Sequence, residues 1–160
     1  MKRNVLMALV ALTVGMGMTG CKNYSSPKGV AMTAAQALKK QDLKLWKSTL
    51  IERAAEDYGS PEGMGQIGQV VAGYEKLTWS KAAVIDRKQG PHGDVENTYT
   101  MDVFGSDKEK TKLDKLATLT TFCTTVWTYD TIPGHGGPHR TPPIRRWTAH
   151  TTCKISNIAL

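Results

Sequence analysis

The sequence predicts an α+β domain in which three helices precede an antiparallel sheet of about four strands, and three observations carry that prediction. Between Ser26 and Val71, apolar residues recur at helical spacing behind side chains suited to helix capping. From Leu77 onward the residue types change to aromatic, β-branched and threonine-rich runs. Turn chemistry, not further helical pattern, separates those runs, which selects an antiparallel sheet over strands joined by helices.

The first helix begins at Ser26, whose hydroxyl can accept from an exposed amide, with Pro27 suited to the first turn. Val30, Ala34 and Leu38 carry it to Lys40. Asp42 caps a second helix, in which Leu43, Trp46, Leu50 and Ala54 form a stripe and Gly59 is the stop. Ser60 and Pro61 repeat the capping pattern for a third helix through Met64, Ile67 and Val71. Its glycines, Gly63, Gly65 and Gly68, each cost about 1 kcal/mol relative to alanine, so tertiary packing must hold it.

The first strand is expected to place Leu77, Trp79, Lys81, Ala83 and Ile85 on one face, ahead of a turn at Gly90-Pro91-His92-Gly93. The second runs from Val95 to Phe104, with Tyr99, Met101 and Val103 sharing a face. A charged connection, Ser106 to Lys115, leads to a long third strand near Leu116 to Tyr129. The Gly/Pro-rich loop from Pro133 to His139 then precedes the last strand, Ile144 to Ile158.

Cys123 and Cys153 both fall in strand segments. If they face each other on antiparallel strands, the same register sets Trp127 opposite Ala149 and Tyr129 opposite Trp147, with the aromatics on the cysteine face. We read the pair as a structural disulfide, the alternatives being two reduced buried cysteines or a reactive thiol pair. No Cys-x-x-Cys spacing points to redox catalysis.

The first twenty residues read as an export signal: Lys2 and Arg3, an apolar run from Val5 to Val14, then small residues up to Cys21. Glycines and Thr19 interrupt the run, so it is too short for a span of about 20 apolar residues. Met18-Thr19-Gly20-Cys21 resembles the bacterial lipoprotein signal, with Met18 in place of the usual leucine. The resemblance implies cleavage before Cys21, acylation of its thiol, and a membrane anchor. Lys22 is not the aspartate associated with inner-membrane retention, which implies a periplasm-facing domain on the outer membrane. Residues 21–26 then read as lipidated cysteine and tether, and 27–160 as a single domain.

The segment Ala34-Ala35-Gln36-Ala37-Leu38-Lys39-Lys40-Gln41-Asp42, the second helix, and the terminal strand with Cys153-Lys154-Ile155 resemble the nuclear transport factor 2-like, or cystatin-like, cone fold. That resemblance implies a curved sheet wrapped around the helices. Some members use a cavity at the cone mouth for ligands or for isomerase and dehydratase chemistry; others only bind partners.

Charge and motifs narrow the function. The net charge of +7 falls to +5 without Lys2 and Arg3. The remaining charges are scattered, and no aromatic-basic motif accompanies them, so nucleic acid is not expected as a partner. Asp86, Asp102, His92 and His150 are the available acids and bases, but no spacing forces two of them together, so no catalytic residue is assigned. His135 and His139 sit among glycines and prolines with no local ligand set, so neither a metal nor another cofactor is expected. Trp79, Tyr99, Trp127, Tyr129 and Trp147 either pack under the helices or line a pocket, near which Arg145 and Arg146 could orient an anion. The expected function is non-catalytic binding of an envelope protein, cell-wall polymer or small ligand. A cavity enzyme and a structural envelope protein are the alternatives.

Overall fold

Four helices, α1 (Pro27–Lys40), α2 (Leu43–Ser48), α3 (Glu52–Tyr58) and α4 (Pro61–Ala72), precede five strands: β1 (Lys76–Trp79), β2 (Ala83–Gln89), β3 (Val95–Ser106), β4 (Leu113–Ile132) and β5 (Ile144–Ala159). The computed structural model describes residues 22–106, 113–134 and 143–160. The export segment with Cys21, part of the charged β3–β4 connection, and the loop holding His135 and His139 lie outside the described residues. The helices pack on one face of a curled antiparallel sheet, the α+β arrangement the sequence predicts.

The three predicted caps form. Ser26 Oγ accepts from the Gly29 amide at 3.1 Å, Asp42 Oδ1 from Leu45 at 2.9 Å and Ser60 Oγ from Gly63 at 2.9 Å. Gln41 ends α1 in the left-handed region, φ 52°, where its amide bonds back to the carbonyls of Ala37 and Leu38.

The single helix expected between Asp42 and Gly59 is two. It breaks at Thr49–Ile51, where the backbone turns to the free edge of β5: Ile155 donates to the Thr49 carbonyl at 2.7 Å and accepts from the Ile51 amide at 2.9 Å. β-branched Thr49 and Ile51 disfavour helix locally, and a strand edge supplies the competing partner. Trp46, 1 % exposed, anchors this layer and donates from Nε1 to the Tyr58 carbonyl at 2.7 Å.

The strand expected from Leu77 through Ile85 is likewise two pieces, both paired to the same edge of β3. At the break Ser80 donates its amide to Asp102 O, and Ser80 Oγ accepts from the Asp102 amide, each at 2.9 Å. The break reverses parity. Trp79 opposes Val103, but Val84 rather than Ala83 opposes Tyr99, and Ile85 falls at a second irregularity, so neither Ala83 nor Ile85 shares the Trp79 face. The β2–β3 turn contains a short 3₁₀ segment, Pro91–Gly93, in which Gly93 adopts φ 84°, a value that favours glycine.

The chain ahead of α1 is fastened to the fold. The Asn23 amide donates to Thr33 Oγ1 at 3.3 Å, Cys153 donates to the Tyr24 carbonyl at 2.6 Å, and the hydroxyls of Tyr24 and Ser48 share a 2.7 Å bond. Residues 23–24, part of the segment read as tether, thus lie against α1, α2 and β5.

Candidate binding surfaces

β4 and β5 pair in the register that facing cysteines require. Cys123 opposes Cys153, Trp127 opposes Ala149 and Tyr129 opposes Trp147. The two sulfurs are at disulfide distance, 1.99 Å, with the Cα atoms 4.0 Å apart and both residues buried. Ala117, Leu119, Thr121 and Cys123 carry the buried alternation of β4 up to this point.

Beyond it the cover ends. α1 has 14 residues and reaches about 21 Å, whereas the 20 residues of β4 extend about 66 Å. Pairing of β3 with β4 also ends, at Val95 opposite Thr125, so Val126–Ile132 and Ile144–His150 continue as a two-stranded ribbon. On the face continuous with the core, Trp127, Tyr129 and Trp147 are 44 %, 50 % and 62 % exposed. The Tyr129 and Trp147 rings stack obliquely, centroids 5.0 Å apart at 53°. On the other face Ile132 opposes Ile144, and both are exposed with Val126.

The five aromatics considered as pocket residues therefore divide. Trp79 and Tyr99 are half-buried and pack against the core, while Trp127, Tyr129 and Trp147 sit on the ribbon. Between helices and sheet, a void of about 50 Å³ remains beneath Trp79, Ile67, Leu119 and Ile158. Ligand pockets typically enclose about 300–1,000 Å³, so the cone is filled by its own side chains.

A larger concavity lies outside the cone, and the sequence reading missed it. An open groove of about 730 Å³ runs between the end of α1 and α4, lined by Leu38, Lys39, Gln41, Met64, Gln69 and Tyr74, among others. Among the described residues, no aspartate, glutamate or histidine lines it. Gly65 and Gly68 form part of its wall, and a Cβ at either would meet no atom within 4 Å. The available signal in the sequence was the pair of glycines, Gly65 and Gly68, that weaken the helix.

Asp86, Asp102 and His150 do not converge. Asp102 lies on the outer face, where Lys115 Nζ approaches its Oδ1 to 2.8 Å and Thr118 Oγ1 donates at 2.7 Å. The hydrogen bond from Lys115, then that from Thr118, hold its carboxyl below the usual value, so it stays an anion engaged by two donors. His150, on the same outer face, opposes Val126, eight residues along β4 from the Thr118 that opposes Asp102, or about 26 Å away. Asp86 is exposed beside Lys88 at 3.9 Å, and His92 belongs to the Pro91–Gly93 turn. Among the described residues no three His, Cys, Asp or Glu side chains cluster as metal ligands, and no helix is long and apolar enough to cross a membrane.

These features define a small α+β domain whose unusual surface is a projecting aromatic ribbon. Comparison with protein-family models, curated proteins and solved structures finds no match.

Proposed function

We propose that this chain is a lipid-anchored, periplasm-facing envelope protein that works by non-catalytic binding through its β4–β5 ribbon. The observation that carries the reading is the exposure of Trp127, Tyr129 and Trp147 on the face that serves, four to eight residues before Trp127 in β4, as the core. Large aromatics left in water at the end of a ribbon form a contact surface, and a two-stranded hairpin is marginally stable alone. The filled cone supports surface binding over chemistry in an internal cavity. The order of helices followed by a curled sheet also supports kinship with the nuclear transport factor 2-like cone, Met18-Thr19-Gly20-Cys21 supports acylation at Cys21, and Lys22 in place of aspartate supports an outer-membrane address.

Membrane fractionation with intact-mass measurement tests the anchored part. The wild-type chain is expected in the membrane fraction, beginning at an acylated Cys21, and Cys21→Ser should carry no acyl mass. Wild-type protein recovered in the soluble fraction with an unmodified cysteine would overturn the reading.

A second reading is favoured by the volume of the α1/α4 groove, which suits a small ligand with Lys39 beside an anionic group. Gly68→Leu fills that groove without touching the ribbon, so it should abolish such binding and leave ribbon-dependent binding intact.

A further inference from the structure

We infer that the ribbon binds an anionic bilayer surface, the same membrane that holds the anchor; this deepens the anchored-binding reading and rests on it. Three observations point to a lipid surface, and the first is distance. Asn23 and Tyr24 are fastened to α1, α2 and β5, so only Lys22 separates Cys21 from the folded domain. At about 3.5 Å per residue, the corner where Tyr24 meets Cys153 lies within roughly 10 Å of the acylated residue. The later part of β5 is thus held close to the bilayer at Cys153, and Trp147, six residues back along the strand, lies about 20 Å from that point.

Charge is the second. Residues 22–41 and 144–160, the two segments joined by the Tyr24–Cys153 hydrogen bond, contain seven Lys or Arg and no Asp or Glu. The rest of the chain after Cys21 contains twelve Lys or Arg against fourteen Asp or Glu. The positive charge of the mature chain is thus concentrated in the two segments that meet at the Tyr24–Cys153 bond, with Arg145 and Arg146 on the ribbon, where it complements anionic headgroups.

The third is the ribbon's form. Ile155 and Cys153 direct their amides away from β4, to Thr49 and Tyr24, and the β4–β5 register is unbroken from there to Ile144. Arg145, Trp147, Ala149 and Thr151 therefore direct their backbone groups to the same free edge, where no described strand pairs with them. Both faces carry large exposed apolar side chains among polar ones, Tyr129 and Trp147 on one and Ile132 and Ile144, with Asp130 opposite Arg146, on the other. A protein groove covers one face of a ribbon. The headgroup layer surrounds both, accepts Trp and Tyr, and hydrates a free strand edge that the hydrocarbon would reject. A second copy paired edge to edge would instead set one β5 strand without an acidic residue against another.

The test uses the mature protein purified from membranes, with its mass recorded, in phosphatidylcholine vesicles carrying brominated lipid with or without phosphatidylglycerol. Tryptophan emission should be quenched at least twofold more in vesicles with phosphatidylglycerol. Trp127→Phe with Trp147→Phe should remove that difference, leaving Trp46 and Trp79 unquenched, and Arg145→Glu with Arg146→Glu should reduce it to the neutral-vesicle level at unchanged circular dichroism. Acylated wild-type protein quenched no more than the double Trp→Phe variant would overturn the inference while leaving the anchored-binding reading standing. A detergent-solubilised dimer dispersed by the Trp147 change, with no lipid quenching, would overturn it in favour of self-association. If Cys21 proves unmodified, the anchored reading fails, and co-sedimentation of the same protein with phosphatidylglycerol vesicles decides the inference: pelleting upholds it and a clear pellet ends it.

Discussion

The same two strands behave differently on either side of the Cys123–Cys153 pair. From Ala117 to Cys123, alternate residues of β4 are buried under the helices, and from Val126 to Ile132 every residue is exposed, although from Thr121 onward the β4–β5 register continues without a slip. The strand sequence sets which face a residue occupies; the reach of another layer sets whether that face is dry. An aromatic on a core-facing strand position is therefore a core residue only as far as the helices extend.

The strongest way to test this contrast is to truncate one tryptophan on each side. Trp46→Ala, in the covered half, should cost about 3–5 kcal/mol in urea denaturation. Trp147→Ala should stay within about 0.5 kcal/mol, since surface changes rarely exceed that. Equal losses would show that the ribbon is covered in solution.

The boundary comes next. Cys123→Ser with Cys153→Ser should lower stability by about 2–4 kcal/mol, and intact-mass analysis of the wild type should rise by two protons on reduction. Two alkylatable thiols in the oxidised wild-type protein would remove the boundary lock from the comparison.

A gain of about 1 kcal/mol is expected from Gln41→Gly, because glycine relieves the left-handed φ of 52° at the end of α1. In hydrogen exchange that gain should slow amides of the covered half, Leu119 to Cys123, and leave Val126 to Ile132 fast. Slowing of both halves to the same degree would mean that they unfold as one unit.

The smallest effect concerns acid. The ammonium of Lys115, then the hydroxyl of Thr118, keep the Asp102 carboxyl below its ordinary value of 3.8 in the folded protein, so the unfolded chain takes up that proton first. Its contribution is complete above that ordinary value and fades as pH falls through the lower folded one. Lys115→Met should flatten the acid limb of the melting temperature against pH, while Asp130, on the ribbon, serves as the control substitution.

What could be read from the sequence was local or set by parity. Ser26, Asp42 and Ser60 needed only their own turn to act as caps, and one assumption, that Cys123 faces Cys153, fixed the opposition of Trp127 with Ala149 and of Tyr129 with Trp147. What could not be read depended on partners distant in sequence. Thr49–Ile51 leaves the helix because Ile155 offers a strand edge, and Ala83 changes face because Ser80 exchanges hydrogen bonds with Asp102. The ribbon's exposure followed from comparing helix length with strand length, and the groove from asking what two glycines in α4 fail to touch.

The bridge from Leu50 to Ile155 also bears on when the domain can become solid. It joins positions more than a hundred residues apart, and Trp46, Leu50 and Met64 share one buried cluster with Ile155 and Ile158. During synthesis the helices emerge first, yet Cys153, Ile155 and Ile158, which complete the cover of their faces, arrive only with the last strand. Such late, non-local closure makes folding slow and leaves the growing chain pliable until β5 is made. Under the proposed export across a membrane, that delay would keep the passage open.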